Sequence, residues 1–305
     1  MSQLAERFDL ERWLGDERGA VERALQRAMA WASTRLPDDP LEVVRHGVLG
    51  GGKRVRPLLR GAAWRAVRGD DGGDALYDVA AAPELVHAYS LRHDALPSLD
   101  DADLRRGRPT THRVHGEAAT VAAGAALIPL GALQAWRACR ALEVPAEAAR
   151  EVVATLMRAA GGAGMVGGQA LDLLGEGRRL DAGELDALHR RKTGALLVAP
   201  LRMGALAAGA GEPLRTALES YGRSLGLAFQ IADDILDATA SAGDLGKNPS
   251  DAALEKSTWV ALHGLDQARR RASEEARLAV EALDRAGLEA PPLRALAAWV
   301  VRRRR

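Results

Sequence analysis

Residues 218–237 read LESYGRSLGLAFQIADDILD, and their spacing points to the fold class. Leu218, Tyr221, Leu225 and Phe229 recur at intervals of three and four, the period of a helix with one buried stripe, and Ile235 and Leu236 extend the apolar run. The same period returns in Val21, Ala24, Leu25, Ala28, Met29 and Ala32, then in Val152, Val153, Leu156 and Met157, and again in Leu185, Leu188, Leu196 and Leu197. Strand-like alternation is nearly absent. Aromatic residues make up only 4% of the chain, too few for a sandwich or barrel built on β-branched and aromatic side chains. Gly, Asp and Pro interrupt the pattern at Gly69–Gly73, Leu174–Gly183, Ala208–Pro213 and Ser241–Ser250, none long enough for an interdomain linker. The expectation is a single all-α domain over residues 1–305 with ten or more helices.

Composition narrows what such a bundle does. With 305 residues, 47% hydrophobic and 27% charged, the chain can bury a large core and lies far from the profile of a disordered one. Its 42 basic residues against 41 acidic ones leave a formal net charge of +1, so no overall field draws nucleic acid or an anionic membrane. Any anion site must be local. The single Cys139 excludes an internal disulfide and a thiolate metal site. The first 25 residues alternate acids, bases and apolar residues, and no run of about 18 apolar residues follows. A cytoplasmic chain without a membrane span is therefore expected.

Within the opening stretch, Asp233, Asp234 and Asp237 interrupt an apolar helix. Offsets of 0 and 4 put Asp233 and Asp237 on one face, with Gln230 beside them. Clustered carboxylates in partly buried surroundings call for cations, and Mg²⁺ suits them because it takes one or two carboxylates and completes its shell with water and phosphate oxygens. The competing reading is an acidic face paired with neighbouring Arg or Lys. About 140 positions upstream, HDALPSLDDADLRRGRPTTH (residues 93–112) holds Asp94, Asp100, Asp101 and Asp103, followed by Arg105 and Arg106. Residues 50–58, GGGKRVRPL, place Lys53, Arg54 and Arg56 after a glycine-rich turn. That segment lacks the P-loop register; alone it reads first as a solvated basic loop, with a phosphate cradle as the alternative. Jointly, two acidic clusters and a basic loop describe a cavity in which metal ions bridge carboxylates to a diphosphate. His93, His112 and His115 are not at zinc-ligand spacing.

The ordered set GGGKRVRPL, ELVHAYSLRHD, DLRRGRPTTH, GMVGGQALDL (164–173), HRRKTGALL (189–197), FQIADDILD, LGK (245–247) and EKSTW (255–259) resembles the trans-prenyl diphosphate synthases over essentially the whole chain, bacterial farnesyl diphosphate synthases above all. The resemblance implies an isoprenoid synthase fold, a helical bundle around a deep central cavity, forming a homodimer. It implies a reaction joining isopentenyl diphosphate to dimethylallyl or geranyl diphosphate. Position by position, it implies that Lys53, Arg56, His87 and Arg106 bind isopentenyl diphosphate, and that Arg105, Lys192, Thr193, Gln230 and Lys247 hold the allylic diphosphate. Asp94 and Asp100 would bind two Mg²⁺ ions and Asp233 a third, supported by Asp234 and Asp237. Tyr89, with the small Ser90 beside it, occupies the place where relatives carry an aromatic that stops growth at fifteen carbons; a plain core aromatic is the competing reading. Lys192 and Lys247 outside their motifs would read as surface cations. The closing WVVRRRR reads equally as a solvated tail and as an arm over the diphosphates, as in relatives.

Four departures weaken the acidic pattern. Ala95, Ala102 and Ala125 stand where acids are usual or frequent in the family, and Arg92 stands where an apolar residue is usual. A less negative cluster holds Mg²⁺ less tightly, so the expectation is a functioning, Mg²⁺-hungry enzyme. The opposing hypothesis is an impaired homologue that binds prenyl diphosphates or partners an active subunit. A terpene cyclase is disfavoured because Lys53, Arg56, His87 and Arg106, the residues for a second diphosphate, are all present.

Overall fold

The computed structural model describes residues 8–105, 107–239 and 257–303. Helix α1 (Leu10–Ala32) begins where the Asp9 carboxylate accepts the Arg12 amide at 3.0 Å, satisfying one free N–H of the first turn. In α2 (Asp38–Val48) two aspartates open the helix and Arg45 and His46 close it, in the sense its dipole favours. Helices α3 (Val55–Arg68) and α4 (Gly73–Asp94) meet at Gly69 and Gly72, whose φ of +74° and +59° are left-handed turns that a side chain would strain. After α4 comes a small antiparallel hairpin, β1 (Leu104–Arg105) against β2 (Arg108–Pro109), with Arg105 opposite Arg108. Then follow α5 (Thr111–His115), α6 (Glu117–Ala141), α7 (Ala146–Ala160) and α8 (Met165–Gly175).

Helix α9 (Ala182–His189) starts on a reciprocal cap. Asp181 accepts the Glu184 amide at 2.9 Å, and Glu184 accepts the Asp181 amide at 3.0 Å. It runs through a π-helical turn (Arg190–Gly194) into α10 (Ala195–Ala207), and α11 (Glu212–Thr239) carries the second acidic cluster. Three further helices, α12 (Trp259–His263), α13 (Leu265–Arg285) and α14 (Pro291–Arg302), complete the fourteen α-helices found among the described residues. The all-α expectation holds, and three of the four expected breaks coincide with helix ends; Ser241–Ser250 lies outside the described residues.

The core is laid down where α10 crosses α3 and α11, burying Leu58, Leu59, Leu197, Leu201, Tyr221 and Leu225 together. Small residues set how close these helices come. A Cβ added at Gly204 on α10 would lie 2.5 Å from the Arg60 carbonyl oxygen of α3, and one at Gly222 would lie 2.7 Å from Leu201. A second wall forms where α4 lies along α6, with Gly131 of α6 against Val86. Helix α6 is long and apolar enough to cross a membrane by length and composition. In the fold it buries Ala123, Leu127, Leu130, Ala135 and Ala138 against its neighbours. Arg60 sits in this core without a carboxylate hydrogen-bonded to it: it is fully buried, donates to the Leu76 carbonyl at 2.9 Å, and desolvation pulls its pKa down to about 10.

Gly204→Ala should lower unfolding free energy by about 1–3 kcal/mol, because the added methyl meets backbone rather than a flexible side chain. Gly15→Ala, on the exposed face of α1 with nothing within 4 Å, should raise it by about 0.5–1 kcal/mol. Urea denaturation of the two variants checks both signs.

Candidate active site

A cavity of about 1360 Å³ opens between α3 and α4 on one side and α8, the π-turn, α11 and α14 on the other. The basic turn before α3 and the end of α4 bring Lys53, Arg56, His87, Asp94, Asp100 and Arg105 to it. The facing wall brings Lys192, Thr193, Gln230, Asp233, Asp234 and Asp237. Tyr89 and Ser90 also line it. Of the residues singled out in the sequence, Arg106 and Lys247 lie outside the described residues.

Asp94 ends α4, and the Asp100 amide folds back to donate to the Asp94 carbonyl at 2.9 Å, closing a loop that sets the two acids on one wall. Burial pushes the Asp94 carboxyl above its ordinary range; Lys192 and Arg105 pull it down, while Asp100 and Asp172 push it up. Arg105, carried on the hairpin, donates to Asp100 at 3.3 Å.

Opposite, the π-turn decides where the cations go. One extra residue per turn breaks the α register between Leu188 and Leu196, and Lys192 and Thr193 enter the cavity. Helix α8 lies directly on this turn: a Cβ at Gly168 would fall 2.1 Å from the Lys192 amide nitrogen. One turn further, Asp172 receives the Lys192 ammonium at 2.6 Å. Thr193 donates to Gln230 at 2.9 Å, and Gln230 donates to Asp234 at 3.0 Å. The other Asp234 oxygen accepts the Trp259 amide at 2.8 Å. Asp234 is buried and holds α12 against α11, so its part is support. Asp233 is paired with Arg303 at 2.6 Å.

Three sequence expectations need correction. Arg54, grouped with the phosphate-cradle bases, is committed elsewhere: its guanidinium, 1% exposed, binds Glu84 at 2.8 Å, Glu22 at 2.7 Å and the Val48 carbonyl at 2.9 Å. Arg54 itself has a left-handed φ of +54° at the start of α3, so this clamp fixes the backbone between Lys53 and Arg56. Arg92 does not add charge to the first acidic wall. It is buried against α2, donating to the Val43 and Val44 carbonyls, where desolvation lowers its pKa to about 10. Ala125 lies on the exposed face of α6, outside the cavity lining. Ala95, by contrast, is buried directly after Asp94.

Sequence reasoning missed Gln169 and Asp172, which line the cavity; Trp299 and Arg303 of the closing WVVRRRR line it too, in line with the arm reading of that segment. Gly168 and Asp172 in GMVGGQALDL are four apart, which is the helical signal that would have placed the acid over the π-turn. The Tyr89 and His93 rings lie tilted against each other with centroids 4.4 Å apart, and both pack on α6 at Gly124.

A family model described as polyprenyl synthetase matches residues 40–287. The chain belongs to the polyprenyl synthetase family. It is 42% identical over 271 residues to the farnesyl diphosphate synthase of Escherichia coli, covering 86% of this chain and 89% of the relative. Its fold is similar to an FPP/GFPP synthase of Zymomonas mobilis, with a TM-score of 0.82, 32% identity, and 96% of this chain and 98% of that one covered. It is also similar to the Helicobacter pylori geranyltransferase complexed with magnesium and isoprenyl diphosphate, with a TM-score of 0.77, 29% identity, and 93% and 96% covered. Among the described residues no three His, Cys or acidic side chains converge into a preformed metal cage. The donor set nonetheless suits Mg²⁺: all-oxygen carboxylates on two facing walls, to be completed by phosphate and water.

His189, buried beside the π-turn, has its pKa lowered to about 4 by desolvation. The unfolded chain, with an ordinary value of 6.5, takes the proton first, so this contribution is intact above pH 6.5 and is lost as pH falls toward 4. The loss should reach about 3 kcal/mol, and His189→Gln should remove that part of the pH dependence of the urea midpoint.

Proposed function

We propose that this polyprenyl synthetase condenses isopentenyl diphosphate with dimethylallyl or geranyl diphosphate, and that farnesyl diphosphate is its product. The observation that carries the reading is the meeting of the GGGKRVRPL bases and two acidic walls in one cavity whose lining also includes Met165, Leu173, Leu188 and Phe229. Lys192, Thr193 and Arg105 hold the allylic diphosphate; Lys53, Arg56 and His87 hold the second substrate. Asp94, Asp100 and Asp233 would hold Mg²⁺, three ions in all on this reading, and the metal would supply positive charge to the departing diphosphate. The allylic C–O bond breaks with its electron pair leaving on the diphosphate, and Lys192 and Arg105 stabilise that negative charge. The isopentenyl double bond attacks the allylic carbon, a C–C bond forms, and the proton lost from the adduct goes to the released diphosphate. Apolar walls around Tyr89 exclude water that would quench the cation.

The retained wall acids support an enzyme that needs more Mg²⁺ than a relative with a full acidic motif. Of the three alanines, Ala95 adjoins the wall and Ala125 does not. The exposed Val121, Leu133 and Trp136 on α6 support a homodimer through that face, with a second copy as the partner, in the cytoplasm.

Assayed with isopentenyl and geranyl diphosphates, the protein should form the fifteen-carbon product with a rate that keeps rising at millimolar Mg²⁺. Absence of turnover at any Mg²⁺ concentration, in folded protein, refutes the reading. Ala95→Asp should lower the Mg²⁺ requirement about 10-fold or more, whereas Ala125→Asp should leave it unchanged. Tyr89→Ala should open the cavity beside His93 and shift products toward twenty carbons, seen by chromatography of the dephosphorylated alcohols.

A further inference from the structure

The residue that follows α14 is the most unusual cation in the cavity. Arg303 has a side chain only 2% exposed, although three arginines surround it in the sequence. Its guanidinium lies 3.9 Å above the Phe229 ring. One nitrogen donates to the Phe229 carbonyl at 2.9 Å and to Asp233 at 2.6 Å, both on α11. Nε and Nη1 are buried without an acceptor among the described residues. A solvated tail would not adopt this arrangement: a desolvated guanidinium is costly unless paired, and here its carboxylate partner is the acid assigned to the metal of the second wall.

We propose that Arg303 is a built-in counter-ion for Asp233, which a divalent ion must displace when it binds there, so that metal loading unties the end of α14 from α11. This rests on the reading of Asp233 as a metal carboxylate. Arg303 already occupies one oxygen of Asp233, and a guanidinium and a divalent ion on one carboxylate repel each other. The Arg303 amide stays bonded to the Trp299 carbonyl at 3.0 Å, so the last helical turn can persist while the side chain swings away. By reciprocity, any anion that captures the released guanidinium strengthens metal binding.

The test uses the full chain without substrate and Mn²⁺ as the probe, with free Mn²⁺ read by electron paramagnetic resonance. Arg303→Gln should bind the Asp233-dependent ion about tenfold more tightly than the parent protein. Arg303→Lys, which keeps the charge, should stay close to the parent. In the Asp233→Asn background, Arg303→Gln should make no difference. Saturating Mn²⁺ should also speed tryptic cleavage after Arg303 in the parent protein, read by mass spectrometry. Equal Mn²⁺ affinity of the parent and Arg303→Gln, both with unchanged melting temperatures, overturns the proposal while leaving the metal assignment intact. Unaltered Mn²⁺ binding in Asp233→Asn alone overturns both.

Discussion

The structure depends on keeping carboxylates charged inside a cavity that excludes much of the water. Each of three wall acids is matched by a cation from another segment: Asp100 by Arg105 of the hairpin, Asp172 by Lys192 of the π-turn, and Asp233 by Arg303 after α14. Burial pushes the Asp94 carboxyl above its ordinary range, against the pull of Lys192 and Arg105. On the proposed function, the protein's own cations hold the places where metal and substrate charge would balance. A cavity assembled this way is ready for a polyanion that arrives with divalent ions, because both charges can be exchanged for groups already there.

This arrangement requires helices to approach one another closely. Gly168 lets α8 rest on the backbone of Lys192, and Gly204 and Gly222 bring α10 against α3 and α11. Those crossings place the basic turn before α3 opposite the acids of α11. The clamp of Arg54 on Glu22 and Glu84 then ties α1, α3 and α4 together behind the turn. It is a desolvated network whose worth lies in geometry as much as in energy.

Much of this was legible in the sequence, for identifiable reasons. Helices declared themselves through the three-to-four period, and Asp233 and Asp237 stood out because acids in an apolar stripe need a cause. Lys53, Arg56, His87, Lys192 and Gln230, which the family motifs single out, line one cavity. What stayed hidden were properties of contact across elements. Nothing local says that Arg54 turns inward while Lys53 faces the cavity, that Arg92 spends itself on the carbonyls of α2, or that Ala125 lies on the outer face of α6. The partnership of Asp172 with Lys192 depends on a π-turn, which breaks the periodicity on which a sequence reading relies. Arg303 resembled three other arginines around it, and only the position of Phe229 and Asp233 distinguishes it.

That π-turn couples chain length to placement: removing a single residue between Arg190 and Gly194 would let the helical ladder run unbroken from α9 into α10, while Lys192 and Thr193 lost the wide turn that brings them to the cavity. Such a shortening would leave the bundle standing and its chemistry scattered. The length of one short segment, more than the identity of its neighbours, thus decides which groups meet there.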